Sequence, residues 1–262
     1  MKKILKLAVY SIVAMVALSS CSDSDDYPSQ KDIETKIIGK WKEIVNDGME
    51  VLTNDRLVKT FITKQEGTYS TSRCFEGEHV WQNKLMFKYE VKENNLYESF
   101  VYEDEPSKIK SKITSIDENK LCENDYEYLI DGEYVPVKMS NTFQKVTVDY
   151  SKDIIGMWEG VEMTGEETFG DINHRIEYKA DGTYTYYDKD GDSWKPSTDV
   201  DNEYNIDGDW LTSRWRVMPG ADYDYESWDI IQMKNGIMKW SGLREKTDHT
   251  RYTATFTWKK VQ

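Results

Sequence analysis

The feature that most constrains this chain is an internal repeat. Ile37-Ile38-Gly39-Lys40-Trp41 returns as Ile154-Ile155-Gly156-Met157-Trp158, 117 residues later. Glu66-Gly67-Thr68-Tyr69 matches Asp181-Gly182-Thr183-Tyr184 at an offset of 115, and Lys88-Tyr89-Glu90-Val91 matches Glu203-Tyr204-Asn205-Ile206 at the same offset. Each copy closes on an aromatic segment, Asn141-Thr142-Phe143-Gln144-Lys145-Val146 and then Thr255-Phe256-Thr257-Trp258-Lys259-Lys260-Val261. Landmarks kept in one order at nearly constant spacing mark a duplicated folding unit, with domains expected at 35–147 and 152–262.

Within each copy, turn chemistry separates about eight short segments. Breaks fall at Asn46-Asp47-Gly48, Glu66-Gly67, Glu93-Asn94-Asn95, Asp117-Glu118-Asn119 and Asp131-Gly132, and in the second copy at Asp181-Gly182, Asp207-Gly208 and Asn235-Gly236. Such pairs tolerate the positive φ that tight hairpins need. The segments alternate with period two: Tyr252, Ala254, Phe256 and Trp258 share one face against three threonines, and Leu85, Phe87, Tyr89 and Val91 oppose Met86, Lys88 and Glu90. No stretch of the mature chain carries a sustained helical period. An antiparallel meander with one apolar face removes its unpaired edges by closing on itself. The fold class expected is therefore all-β, with two tandem eight-stranded antiparallel meander barrels.

Gly39-x-Trp41 and Gly156-x-Trp158 stand at the head of the copies as the Gly-x-Trp motif does in lipocalin-like domains, and the chain resembles that family. The resemblance implies that each tryptophan plugs the closed end of its barrel beneath a basic residue from near the last strand. Lys145 and Lys259 are the nearest candidates, and the absence of an arginine there departs from the family pattern. The copies, about 110 residues each, resemble the compact lipocalin-like domains of bacterial lipoproteins. Aromatics bury on the order of 150–250 Å² each, so inward sets such as Leu85, Phe87 and Tyr89 are expected to fill the interiors and leave at most a shallow mouth.

The first residues form an export signal. Three lysines in Met1–Lys6 precede Leu7–Leu18, which carries no charge. Those twelve residues rise only about 18 Å as a helix, short of a hydrocarbon core of roughly 30 Å. Leu18-Ser19-Ser20-Cys21 resembles the lipobox of bacterial lipoproteins, which implies cleavage of residues 1–20, lipidation of Cys21 and a membrane partner reached through the lipid. Residues 21–34 then read as an acylated tether, because Ser22-Asp23-Ser24-Asp25-Asp26 is too polar to fold. The acidic cluster resembles the signal that directs some Gram-negative lipoproteins to the outer face of the outer membrane.

Losing Lys2, Lys3 and Lys6 takes the formal charge from −14 to −17. A surface of that sign repels phosphate backbones, so nucleic acid is excluded as a partner. Apart from Cys21 the chain has Cys74 and Cys122, which either form a disulfide in an oxidising compartment or sit as small buried side chains. His79, His174 and His249 fall in no metal-ligand or nucleophile motif, so neither an enzyme nor a cofactor is expected. Asp188, Asp190, Asp192 and Asp199 stand at positions 1, 3, 5 and 12 of a calcium-loop spacing, but Ser193 replaces the glycine and Pro196 interrupts, which fits an acidic hairpin better. Seven of nine tryptophans lie in the second copy, and Trp210 and Trp215 differ in strand parity. One of them should face outward near Arg214 or Arg216, as a stacking surface or beneath a neighbouring domain. The function expected is a tethered, non-catalytic binding or interaction protein whose contact surface lies on the second copy. The alternatives are a carrier of a small apolar molecule and a glycan-binding accessory of nutrient uptake.

Overall fold

The computed structural model describes residues 27–75, 78–102, 104–165 and 172–261, without the side chains of 72–75, 78–80, 82 and 83. The signal 1–20, Cys21 and the acidic run 22–26 lie outside the described residues. One helix, α1 (Gln30–Lys36), precedes ten strands: β1 (Gly39–Asn46), β2 (Met49–Glu50), β3 (Leu57–Phe61), β4 (Glu66–Phe75), β5 (Glu78–Lys92), β6 (Asn95–Tyr102), β7 (Glu105–Ile116), β8 (Lys120–Ile130), β9 (Glu133–Val137) and β10 (Asn141–Val146). Nine more follow: β11 (Gly156–Thr164), β12 (His174–Tyr178), β13 (Tyr184–Asp190), β14 (Ser193–Pro196), β15 (Val200–Asp207), β16 (Trp210–Arg216), β17 (Asp224–Lys234), β18 (Ile237–Glu245) and β19 (Arg251–Lys260).

The first ten strands form one antiparallel sheet in which β10 pairs with both β1 and β8. That double pairing closes β1, β3 to β8 and β10 into an eight-stranded barrel, as the alternation predicts. The second sheet runs β14-β13-β12-β11-β19-β18-β17-β16-β15 and curls without closing fully. Among the described residues its ends meet at the bridge between Thr183 and Glu203 and through Tyr204, whose N donates to Gly182 O at 2.8 Å and whose hydroxyl donates to Lys179 O at 2.6 Å. The cause is local. In the first sheet β4 pairs with β5 from Glu66–Lys88 out to Phe75–Glu78, whereas the Gly191-Asp192 turn folds β13 back onto β14 and uses the edge that would have met β15.

The turns explain the register. Asp47-Gly48, Asp131-Gly132 and Asn235-Gly236 each hold two successive residues at positive φ, as two-residue hairpin turns of matching twist require. The expected inward faces are buried: Phe87, Tyr89 and Val91 join one core cluster, while Ala254 and Trp258 join the other with Phe256 packed against it.

Residues 30–34, read from sequence as the end of the tether, are the first five of helix α1. Ser29 caps it, and its one buried side chain, Ile33, sits under the barrel floor. Seven residues are too few to show a period, so only the structure reveals it. The second copy repeats the arrangement in a turn: Ile37 N donates to Ile33 O at 2.9 Å, and Ile154 N donates to Tyr150 O at 3.1 Å.

The two sheets pack on each other through the 3₁₀ turn Thr53–Asp55. Trp210 Nε1 donates to Thr53 O at 3.1 Å, Leu243 N to Thr53 Oγ1 at 2.8 Å and Ser227 N to Asn54 Oδ1 at 3.0 Å. Lys42 bridges Asp209 and Asp229, both at 2.8 Å, and Arg56 reaches Asp229 at 2.6 Å. Removing one member of so buried a network strands the others, so these contacts hold the halves together. The connection is exposed at Thr147, Val148, Asp149 and Lys152. Limited proteolysis should therefore nick it between Thr147 and Lys152 first, leaving two fragments that co-elute on size exclusion and part only in denaturant. Fragments that elute separately without denaturant would contradict the interface.

Candidate ligand sites in the two barrels

Each barrel has a plugged end and an open end. At the plug, Trp41 (0 % exposed) and Trp158 (2 %) each donate Nε1–H at 2.6 Å to a carbonyl four residues earlier, Ile37 and Ile154. Lys145 Nζ lies 4.8 Å from the Trp41 ring centroid and Lys260 Nζ lies 5.1 Å from that of Trp158. The second lysine is thus Lys260 and not Lys259, which pairs with Glu159 one step along the ladder. Gly39 and Gly156 hold φ of 126° and 122°, and a Cβ on either would meet the lysine Cε at 3.2 Å. The motif residues Gly39, Trp41, Gly156 and Trp158 therefore build the plug, not a binding site.

At the open end of the first barrel lies a recess of about 270 Å³. Aromatics from three strands line it, Tyr69, Phe100, Tyr126 and Tyr128 among them, and its floor is charged. Lys59 (β3) reaches Glu123 (β8) at 2.7 Å and Glu98 (β6) at 3.2 Å, all three buried. Glu123 Oε2 also accepts from Tyr126 at 2.6 Å and Ser111 at 3.3 Å. Asn141 Nδ2 donates in turn to the Tyr126 hydroxyl at 3.1 Å. Burial pushes Glu98 above the usual carboxylate range against the pull of Lys59. Lys59 is held above the usual lysine range because the attraction of the two glutamates outweighs its own desolvation.

The second recess, about 240 Å³, is lined by Tyr178, Tyr184, Tyr186, Trp215, Trp240 and Trp258, with Asp199 and Glu226 as its acids. Burial raises the hydroxyls of Tyr178, Tyr184 and Tyr186 above the ordinary tyrosine range, so they serve as neutral donors. The large inward side chains thus fill the plugged half of each copy and leave a recess at its mouth.

Of the four side chains expected on a contact surface, only Trp215 borders a recess. Trp210 faces outward but is 1 % exposed, because the first sheet covers it through Thr53, so it offers no open stacking platform. Arg214 lies over the rings of Trp81 and Tyr223, at 3.9 and 4.2 Å, and is bonded to Glu203; Arg216 lies 4.0 Å over Tyr223. The acidic stretch is a hairpin, with Asp188 opposite Lys195 and Asp190 opposite Ser193. Asp188 meets His174 at 3.0 Å, Asp190 pairs with Lys195, Asp192 is exposed, and Asp199 lines the second recess. Among the described residues no three metal-capable side chains converge. Cys122 is disulfide-bonded, while the side chain of Cys74 lies outside the described residues.

A model of the lipocalin-like domain matches residues 154–240. The second barrel is lipocalin-like. That match runs from Ile154 in the plug to Trp240 in β18, and the first barrel repeats the same plug at the head of its own meander. No curated protein matches the chain. Among solved structures, a double mutant of the vaccine antigen transferrin binding protein B from Haemophilus parasuis is 10% identical, with a TM-score of 0.23, over 79% of this chain and 54% of that one. A single mutant of the same antigen is 9% identical, with a TM-score of 0.22, over 86% of this chain and 64% of that one. This chain therefore spans roughly half to two thirds of that antigen's length. A protein of unknown function from Nostoc punctiforme is 12% identical, with a TM-score of 0.23, over 89% of this chain and the whole of that one. Scores of this size carry no argument about what the lipocalin-like barrels bind.

Proposed function

We propose that this chain is a membrane-tethered, non-catalytic binding protein that takes a small molecule at the open end of a lipocalin-like barrel. The observation that carries the reading is the first recess, where a charged floor lies buried beneath an aromatic-walled mouth. A purely structural core avoids such groups, since ions removed from water cost more than apolar packing of the same volume. The same floor argues against a wholly apolar cargo, which would seal Glu98 and Lys59 from water without offering them a partner.

The basic, apolar leader and Leu18-Ser19-Ser20-Cys21 support cleavage before Cys21 and anchorage by lipid at the outer membrane, with the residues before Ser29 as a spacer. Several acyl chains on one cysteine give an anchor that does not exchange. A non-catalytic role is supported by His174 and His249, each of which bonds a single carboxylate, Asp188 or Glu245, at 3.0 Å on the surface.

Mass spectrometry of the protein extracted from its own membranes tests both parts. Under denaturing conditions the mass should begin at Cys21 and include acyl chains; under native conditions it should rise by one small molecule. A mass that includes residues 1–20 and no acyl group removes the tether, and repeated bare native masses remove the cargo.

A further inference from the structure

The repeat supplies an internal control for the charged floor. In the first barrel Trp41 stands opposite Lys59, Tyr89 opposite Glu98, and Glu123 opposite Asn141. In the second, Trp158 stands opposite Ile176, Tyr204 opposite Ser213, and Trp240 opposite Phe256. Tyr89 and Tyr204 are equivalent in detail, since each hydroxyl donates at 2.6 Å to the preceding turn, to Thr63 O and Lys179 O. Position for position, Lys59, Glu98, Glu123 and Asn141 thus become Ile176, Ser213, Trp240 and Phe256. The plug and the meander persist without a single charge at these sites. Neither the plug nor the meander, which the second sheet keeps while curling without full closure, needs the floor, so another demand has put it there.

What the floor lacks is donors. Glu98 Oε1, Glu123 Oε1 and Asn141 Oδ1 are buried acceptors without a hydrogen-bond partner. Glu123 is otherwise well served, by Lys59, Tyr126 and Ser111 on its second oxygen, whereas Glu98 shares the same lysine at a longer distance. Glu43 adds a further carboxylate to the recess wall, bonded to Asn46 at 3.2 Å. Two buried acids, Glu98 and Glu123, thus share one ammonium, beneath a ring of Tyr69, Phe100, Tyr126 and Tyr128 whose π faces favour cations. A metal ion fits this set poorly, because Lys59 occupies the place between the two glutamates.

From this we infer that the first barrel's recess binds a compact organic cation, a primary ammonium on a small aromatic body, with Glu98 and Asn141 as its acceptors. The inference rests on the small-molecule reading above and narrows it. The volume, about 270 Å³, lies just below the usual range of small-molecule pockets and suits a compact body. Glu98 keeps its contact with Lys59 through Oε2, and the unpartnered Oε1 costs the empty barrel stability, as binding groups held ready for a ligand do.

Three probes of one shape and different charge separate the outcomes: tyramine, its neutral alcohol tyrosol, and the anion 4-hydroxyphenylacetate, titrated calorimetrically into the full mature protein. Tyramine should bind at least about tenfold more tightly than tyrosol, the worth of one charge-assisted contact, with the anion weakest. Glu98→Gln should lose about tenfold in tyramine affinity, leave tyrosol unchanged and melt at a higher temperature than the wild type at neutral pH. Glu226→Gln, in the second recess, should change none of this. Equal affinity for the three probes, no tyramine binding at millimolar concentration, or loss through Glu226→Gln in place of Glu98→Gln overturns the cation site. If a neutral or anionic native cargo is retained and tyramine cannot displace it, the cation site falls and the binding-protein reading stands. If neither cargo nor probe binds, both fall.

Discussion

Trp158→Ala is expected to cost about 3–5 kcal/mol of stability, and Trp41→Ala a similar amount, the usual range for truncating a buried tryptophan. Both indoles are fully enclosed, so each change opens a cavity at the barrel's closed end and leaves a buried carbonyl, Ile154 O or Ile37 O, without its donor. The loss should propagate to the lysine above. Lys260 Nζ spans the ring to reach Asp153 O at 3.3 Å, as Lys145 Nζ reaches Lys36 O at 3.1 Å, so without the ring each ammonium has only a carbonyl to hold it. Urea unfolding of the two variants checks the size of the effect, and midpoints equal to the wild type would contradict the plug. A smaller experiment separates the adjacent lysines: Lys260→Met should lower the midpoint and Lys259→Met should not.

That pair shows how far the residues could be read in advance. The plug was legible because its parts are local: Gly-x-Trp at the head of a strand, with a base near the end of the last. Choosing between Lys259 and Lys260 needed only strand parity, since Lys260 follows Trp258 by two residues as Lys145 follows Phe143. The hairpins were legible because Asp-Gly and Asn-Gly pairs state their backbone angles. By contrast, the match of Glu66–Tyr69 to Asp181–Tyr184 slips by two in space, because Gln65 O and Gly182 O accept the equivalent bonds from Tyr89 N and Tyr204 N. The loops differ in length there, which an offset count absorbs without notice.

The charged floor left a fainter trace. Lys59 stands between Leu57 and Phe61 at inward parity, and Glu98 between Leu96 and Phe100, so a charge on an apolar face was visible in both strands. Glu123 was hidden. It follows Leu121 at the right spacing, but Asp125, at φ 50°, lies in a bulge of the β7–β8 ladder, after which the inward residue is Tyr126 and not Asp125. A period-two count forward from Leu121 reaches Glu123 and one back from Tyr126 misses it, so the strand read alone gives two answers. The cover over Trp210 was out of reach for a different reason, because it comes from residues 157 positions away.

The second large effect falls on that floor. Lys59→Met should destabilise the protein by about 3–5 kcal/mol at neutral pH, because it removes the only cation of a buried group and leaves two glutamates facing each other. The sign with pH follows from Glu98, whose carboxyl burial already holds above its ordinary value of 4.5. A carboxyl raised on folding contributes its stability below the unfolded value and loses it as pH rises through the folded one. Taking away Lys59, which opposes that rise, moves Glu98 further up, so the variant's deficit should be large at pH 7 and shrink towards pH 4. Restoring neutrality tests the cause: Lys59→Met with Glu98→Gln and Glu123→Gln should recover most of the loss at pH 7, as Ile176, Ser213 and Trp240 do without charge in the sister barrel. Equilibrium urea titrations of the single and triple variants at both pH values give the answer. A deficit independent of pH, or a triple variant no better than the single one, would mean that the packing of the lysine stem and not its charge holds the site together.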